Sequence, residues 1–300
     1  MSLHKICIGF ALLLMALPQK ALAKSTEIGV LEEQCEPRGL YSVYNARVRL
    51  AFTSTGQSWK APEPFVQDID TLKSAPVKFA GKKEWFILSH NKTIAKVNSK
   101  GVDEYDWYRD IGTHQLLTAL PAEAKGPRTG TYAGWLGCPV RKPMVLSTTV
   151  PAKDTENWRK EQPAYLPTQE IIVQIRRSIE DFYQDREEKP REIALSKKDL
   201  IVKHQFGSES NKKLVAIQLR SNVHVRDAAG APDRSLYWFY VDGGTRVKFI
   251  GRGLVLVDWA DYNSDGYTDF LFWIDDNNVS GYLLTWNKFA DRVSVMWNNY

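Results

Sequence analysis

From Leu200 to the C-terminus the chain is a succession of apolar runs, four to six residues long, separated by turn signals. Segments that short are strands rather than buried helices, and strands spaced so closely pair as antiparallel sheets. The runs are Leu214 to Leu219, Leu236 to Val241, Val247 to Ile250, Leu254 to Val257, Phe270 to Ile274 and Tyr282 to Trp286. Asp242-Gly243-Gly244 and Gly251-Arg252-Gly253 are the turns between three of them. At the end, Val293, Val295 and Trp297 alternate with polar residues. The N-terminal half carries the same signal. Tyr44, Ala46, Val48, Leu50 and Phe52 alternate with Asn45, Arg47, Arg49 and Ala51, which predicts a half-buried strand. Trp85 to Leu88 and Thr93 to Val97 flank Asn91-Lys92 as a hairpin.

One segment breaks the period. Ile171, Ile175, Ile179 and Phe182 recur at helical spacing, with Thr168 as the N-cap and Glu170 in the first turn. Arg176, Arg177, Glu180 and Asp181 then fall on the solvated face of this helix. Residues 119–131 and 150–167 have no periodicity and read as loops. Pro190 and the charged stretch 184–199 mark a boundary. The expected organisation is an N-terminal β-rich domain over 24–166, a helical connector over 167–190 and a C-terminal β domain over 191–300. Within the last, 200–250 and 254–300 share an outline of strands and turns at an offset of about 56, a weak repeat of blade-like units.

The motif that carries chemistry is Asp261-Tyr262-Asn263-Ser264-Asp265-Gly266-Tyr267-Thr268-Asp269. Short oxygen-bearing side chains stand at positions 1, 3, 5 and 9, and glycine at position 6 permits a sharp turn. Ca²⁺ takes six to eight hard oxygen ligands, so three carboxylates, an amide and the backbone carbonyl of Tyr267 form a suitable set. An EF-hand is excluded. Its twelfth position requires a bidentate Glu and its flanks are helices, whereas here position 12 is Phe272 and both flanks read as strands.

The loop resembles the calcium loop of FG-GAP or VCBS-type β-propeller repeats, D-x-[DN]-x-D-G-x-x-D between two strands of a blade. The similarity covers about residues 254–274. It implies that Asp261, Asn263, Asp265 and Asp269 ligate Ca²⁺ through side chains and Tyr267 through its carbonyl. It also implies that the ion stabilises a blade whose surfaces bind a partner. The length limits the architecture. After loss of a leader, 277 residues are too few for a seven-bladed propeller of roughly 50-residue units. The expected fold is therefore mainly β with one amphipathic helix, antiparallel sheets and a C-terminal partial propeller or sandwich.

Residues 1–23 read as a signal peptide: Lys5, an apolar stretch from Ile6 to Leu17, Pro18, and an Ala21-Leu22-Ala23 cleavage site. The stretch is shorter than the roughly 20 residues that span a bilayer, so the expectation is cleavage, with no membrane embedding and a periplasmic or secreted product. Cleavage removes Cys7 and leaves Cys35 and Cys138, which as a pair in an exported chain predict one disulfide. It also removes Lys5 and Lys20, so 38 basic residues face 35 acidic ones, a net charge of +3. That gives no nucleic-acid footprint.

Other candidates carry less. Asp110 precedes His114 by four residues, and Ser89-His90 lacks the G-x-S-x-G elbow of a hydrolase. His204 and His224 are scattered. Asp103, Glu104 and Asp106 lie beside Trp107 and Tyr108, carboxylates and aromatics that could serve a glycosidase. Trp259, Trp273, Trp286 and Trp297 could form a stacking platform for sugars or fill a sheet core, and core packing is favoured; Trp273 reads as core, while Trp286, between Thr285 and Asn287, is the better surface candidate. The reading is an exported calcium-binding β protein that binds a protein or glycan partner through its blades. The alternative is an extracytoplasmic, glycan-directed hydrolase.

Overall fold

A computed structural model describes residues 25–298, apart from 39–40, 63–82, 103–113, 118–121, 123–125, 133–137, 153–155, 165–166, 185–195, 221–235, 277–278 and the single positions 55, 57 and 244. The segment 1–23 read as a signal peptide, the acidic cluster at 103–106, Asp110 and His224 lie outside the described residues.

The strands form three principal antiparallel sheets, with one α-helix among the described residues. The first sheet has the order β1-β9-β4-β5-β6-β2-β3, and β2 also pairs β1. Its members are β1 (Glu27–Arg38), β2 (Tyr41–Ser54), β3 (Trp59–Lys60), β4 (Glu84–Ser89), β5 (Lys92–Val102), β6 (His114–Leu117) and β9 (Met144–Ser147). β7 (Arg128–Thr129) and β8 (Val140–Arg141) form a separate short pair. The second sheet is a meander of β10 (Arg159–Glu161), β11 (Leu200–Gly207), β12 (Lys213–Leu219), β13 (Leu236–Asp242) and β14 (Arg246–Arg252). The third is a meander of β15 (Leu254–Ala260), β16 (Asp269–Asp276), β17 (Val279–Trp286) and β18 (Asp291–Asn298). Every apolar run after Leu200 is thus a strand. The two outlines at 200–250 and 254–300 are successive meanders.

The third sheet lies between the other two, because its strands are apolar on both faces. Leu271, Trp273, Tyr282 and Leu284 pack with Ile28, Phe52 and Val145 of the first sheet. Leu256, Phe270, Phe272 and Leu283 pack with Leu214, Trp238 and Tyr240 of the second. The far face of the second sheet is covered by α1 (Gln169–Gln184), which buries Ile171, Ile175 and Ile179. The Thr168 hydroxyl accepts the Ile171 N–H at 3.4 Å, as an N-cap does. Arg176 and Glu180 pair at 2.9 Å on its outer side.

Four expectations are corrected. Arg47, Arg49 and Ala51, the supposed solvated face of β2, are buried. A second layer covers them: Arg49 lies 3.8 Å over the Trp297 ring and 2.9 Å from Glu32. The hairpin turns at His90-Asn91, with φ of 49° and 63°, one residue before the predicted pair. Two positive φ angles are what a two-residue hairpin turn needs, and the strand register decides which residues take them. Part of the stretch read as loop at 150–167 is β10, whose ladder to β11 is short and polar and so carries no periodicity. Trp286 is buried in the core between the first and third sheets, since its polar neighbours say nothing about its own face of the strand.

Cys35 on β1 and Cys138, just before β8, form a disulfide, with Cα atoms 6.1 Å apart. That bond fits an oxidising environment. Among the described residues no helix is long and apolar enough to cross a membrane.

Candidate functional site

The predicted loop connects β15 to β16. Its ends are set by the ladder: Ala260 pairs Asp269, and Ala260 belongs to the face that meets the first sheet. Asp269 therefore points inward, between the layers, and is 0% exposed. Gly266 takes φ +89°, a conformation L side chains rarely adopt, which allows the loop to double back. Ser264, at φ +60°, shares the bend.

The side chains close on the loop's own amides. The Asp265 N–H donates to Asp261 Oδ1 at 3.0 Å and to Asn263 Oδ1 at 3.2 Å. The Gly266 N–H donates to Asp261 Oδ2 at 2.9 Å, and the Tyr267 N–H to Asp265 Oδ1 at 2.8 Å. Asn263 Nδ2 donates to Asp265 Oδ2 at 3.0 Å. Asp269 Oδ2 accepts the Tyr262 N–H at 3.1 Å, but Asp269 Oδ1 is buried with no partner. The side chain of Tyr267 is exposed, with the Lys288 ammonium 5.5 Å over its ring. The loop thus brings Asp261, Asn263 and Asp265 together at its mouth and sets Asp269 at its inner end. Among the described residues no three His, Cys, Asp or Glu side chains are gathered as a metal shell.

The electrostatics of the loop are unfavourable as it stands. Burial pushes the Asp269 carboxyl well above the usual carboxylate range, and the charges of Asp265 and Asp261 push it further. The Tyr262 N–H and the indole of Trp59 pull it down without compensating. Burial likewise raises Asp261, against the Gly266 and Asp265 N–H groups that favour its charged form, while Asp265 repels it. Desolvated, mutually repelling carboxylates are what a bound cation relieves. A partnerless, buried carboxylate oxygen in a loop that also carries two more acids has the donor chemistry a hard divalent ion takes.

A second polar centre was invisible in the sequence. A bulge in β15 shifts the register between Leu256 and Asp258, so that Asp258 comes opposite Leu271 on the face toward the first sheet. There Asp258 Oδ1 accepts the His90 backbone N–H at 2.7 Å and lies 3.1 Å from His90 Nδ1. Tyr262 Oη donates to Asp258 Oδ2 at 3.2 Å. The imidazole stacks on Trp259 with centroids 3.9 Å apart. Asp258 is 168 residues from His90, and no spacing rule spans that distance. The only local signal is the charge of Asp258 inside an otherwise apolar strand.

No family model, no curated protein and no solved structure matches this chain.

Proposed function

We propose that this is an exported β protein whose third sheet is pinned by one Ca²⁺ in the 261–269 loop, the ion being structural and the protein acting by binding a protein or glycan partner. The loop is read as an FG-GAP or VCBS-type calcium loop on its residue pattern. The observation that carries the ion is Asp269: a buried carboxylate with one oxygen unpartnered, at the closed end of a loop holding two further acids. Asp261, Asn263, Asp265 and Asp269 would hold Ca²⁺ by side chains and Tyr267 by its carbonyl. The disulfide supports the exported reading, because such bonds persist in oxidising compartments.

The test is a thermal melt of the purified protein with Ca²⁺ and with chelator. An ion at one hundred times its Kd stabilises by about 2.7 kcal/mol, so the midpoint should rise with Ca²⁺ and fall with chelator. Asp265→Ala should lose the difference. Identical wild-type midpoints in the two buffers would end the calcium reading.

The glycan-directed hydrolase gains one observation, the Asp258–His90 pair. A buried carboxylate that orients an exposed imidazole is how a general base is held. Incubation with isolated envelope glycan decides it: product release by wild type that is lost in His90→Gln favours the enzyme, and no release by wild type removes it.

A further inference from the structure

Tyr262, the second residue of the 261–269 loop, is fully buried and reaches two carboxylates with two different groups. Its backbone N–H donates to Asp269 Oδ2 at 3.1 Å, at the inner end of the loop. Its hydroxyl donates to Asp258 Oδ2 at 3.2 Å, outside the loop on β15. The other oxygen of Asp258 accepts the His90 backbone N–H at 2.7 Å and lies 3.1 Å from His90 Nδ1. A line of polar contacts therefore runs from Asp269, through one tyrosine and one aspartate, to an imidazole on the β4–β5 hairpin of the first sheet. The line is dry along its length: Asp269 and Tyr262 are 0% exposed and Asp258 3%. It surfaces only at the imidazole, whose side chain is 51% exposed.

A carboxylate only accepts, so a neutral imidazole held by Asp258 carries its proton on Nδ1 and its lone pair on Nε2. That tautomer is favoured for as long as Asp258 keeps its place, and the Tyr262 hydroxyl holds the far oxygen of Asp258. Tyr262 is placed in turn by the loop it belongs to. A cation that gathers the loop's carboxylates fixes Asp269, and with it the Tyr262 backbone that donates to Asp269. Contiguous packed and hydrogen-bonded groups of this kind carry coupling between sites. From this geometry we infer that the 261–269 loop and the His90–Asp258 pair are one coupled unit, with Tyr262 the positioning residue that transmits ion occupancy to the imidazole. Loading the loop holds His90 in the tautomer with the lone pair on Nε2, and so sets its reactivity toward an electrophile. This inference rests on the calcium reading of the loop.

The experiment uses the purified protein at fixed pH, with Ca²⁺ as the ion probe and diethyl pyrocarbonate, which acylates imidazole nitrogen, as the reactivity probe. Calorimetric titration gives the affinity. Peptide mass spectrometry gives the acylation rate at His90, with His204 on the second sheet as the internal reference. The ¹⁵N shifts of the imidazole report which nitrogen carries the proton. Wild type should bind Ca²⁺, show the Nδ1–H signature more fully when loaded, and acylate at His90 roughly 5-fold faster, the lower end of coupling between sites. Tyr262→Phe removes the hydroxyl but keeps the ring and the N–H to Asp269, so it should bind Ca²⁺ as wild type does and lose the His90 response. Asp265→Ala, at the loop mouth and away from the line, should lose the ion and the response together. Ca²⁺ binding by wild type with His90 unchanged in rate and tautomer overturns the coupling while leaving the calcium loop intact. A response that survives in Tyr262→Phe overturns the positioning role of Tyr262. Absence of Ca²⁺ binding by the wild type removes the loop reading and the coupling with it.

Discussion

Glu33 shows how one buried acid is kept charged. Its side chain accepts a fork from Arg128, Nε at 2.8 Å and Nη2 at 2.9 Å, together with the Arg141 guanidinium and the Arg141 N–H at 3.2 Å. The Arg128 guanidinium in turn lies 3.6 Å over the Tyr44 ring. Burial alone would raise the Glu33 pKa, but the hydrogen bonds and charges of the two arginines outweigh it and hold the carboxyl below its usual value. A carboxyl whose pKa is lower in the folded than in the unfolded state contributes stability that is complete above the unfolded pKa, near 4.3, and is lost as pH falls through the folded one. Glu33→Gln should therefore lower stability at neutral pH by about 1–3 kcal/mol, the partly exposed Arg128 limiting the effect. Melting curves of both proteins across the acid range check this: the gap between them should close as pH drops. A gap constant with pH would mean that the ion cluster contributes by packing alone.

At the scale of elements, the two meanders solve one problem in two ways. Each has a loop that returns the chain to a strand whose first residue is charged. In the third sheet the residue is Asp269; in the second it is Lys213, at the corresponding offset of 56, and it pairs with Glu161 of β10 at 2.7 Å. A lysine ammonium thus neutralises the acid beside the first loop, and at the second the proposed Ca²⁺ would take that part. β17 and β18 are tied more simply. A Cβ on Gly281 would lie 2.3 Å from the Val295 carbonyl oxygen, so Gly281→Ala must splay the pair and should cost about 1–3 kcal/mol, measurable by denaturant unfolding. An unchanged midpoint would show that the edge strand yields freely. These strands were legible because each apolar run met its own turn signal, and the helix because Ile171, Ile175 and Ile179 kept their period. What could not be read was which faces another layer would cover. The alternation in β2 is real, yet Arg49 is buried because Trp297, almost 250 residues later, folds over it. The site divided in the same way: the 261–269 loop is contiguous and announced itself, whereas Trp59 and His90 reach β15 and β16 only through packing of the sheets.

In the whole molecule the layers run first sheet, third sheet, second sheet, helix, so β15, β16 and β17 are the strands covered on both faces. The disulfide lies at the opposite extreme, wholly within the N-terminal half, with its cysteines 103 residues apart in sequence. In the native state it adds little that pairing does not already supply, since β1 is hydrogen-bonded to both β2 and β9. Its contribution is to the unfolded chain, where closing a loop of that size is worth up to about 4.7 kcal/mol in the chain-entropy view. For a chain of this length each kcal/mol moves the midpoint by about 2–4 °C, so reduction, or the Cys35→Ser and Cys138→Ser double substitution, should lower Tm by roughly 10–15 °C. The form of the transition carries more information than its position. Ile28 and Phe52 share one core with Leu271 and Trp286, so neither sheet can melt without exposing the other. Calorimetry of the reduced protein should then show a single endotherm displaced as a whole. Two endotherms, of which only the lower moves on reduction, would mean that the first sheet unfolds on its own and that the shared core is weaker than its burial suggests.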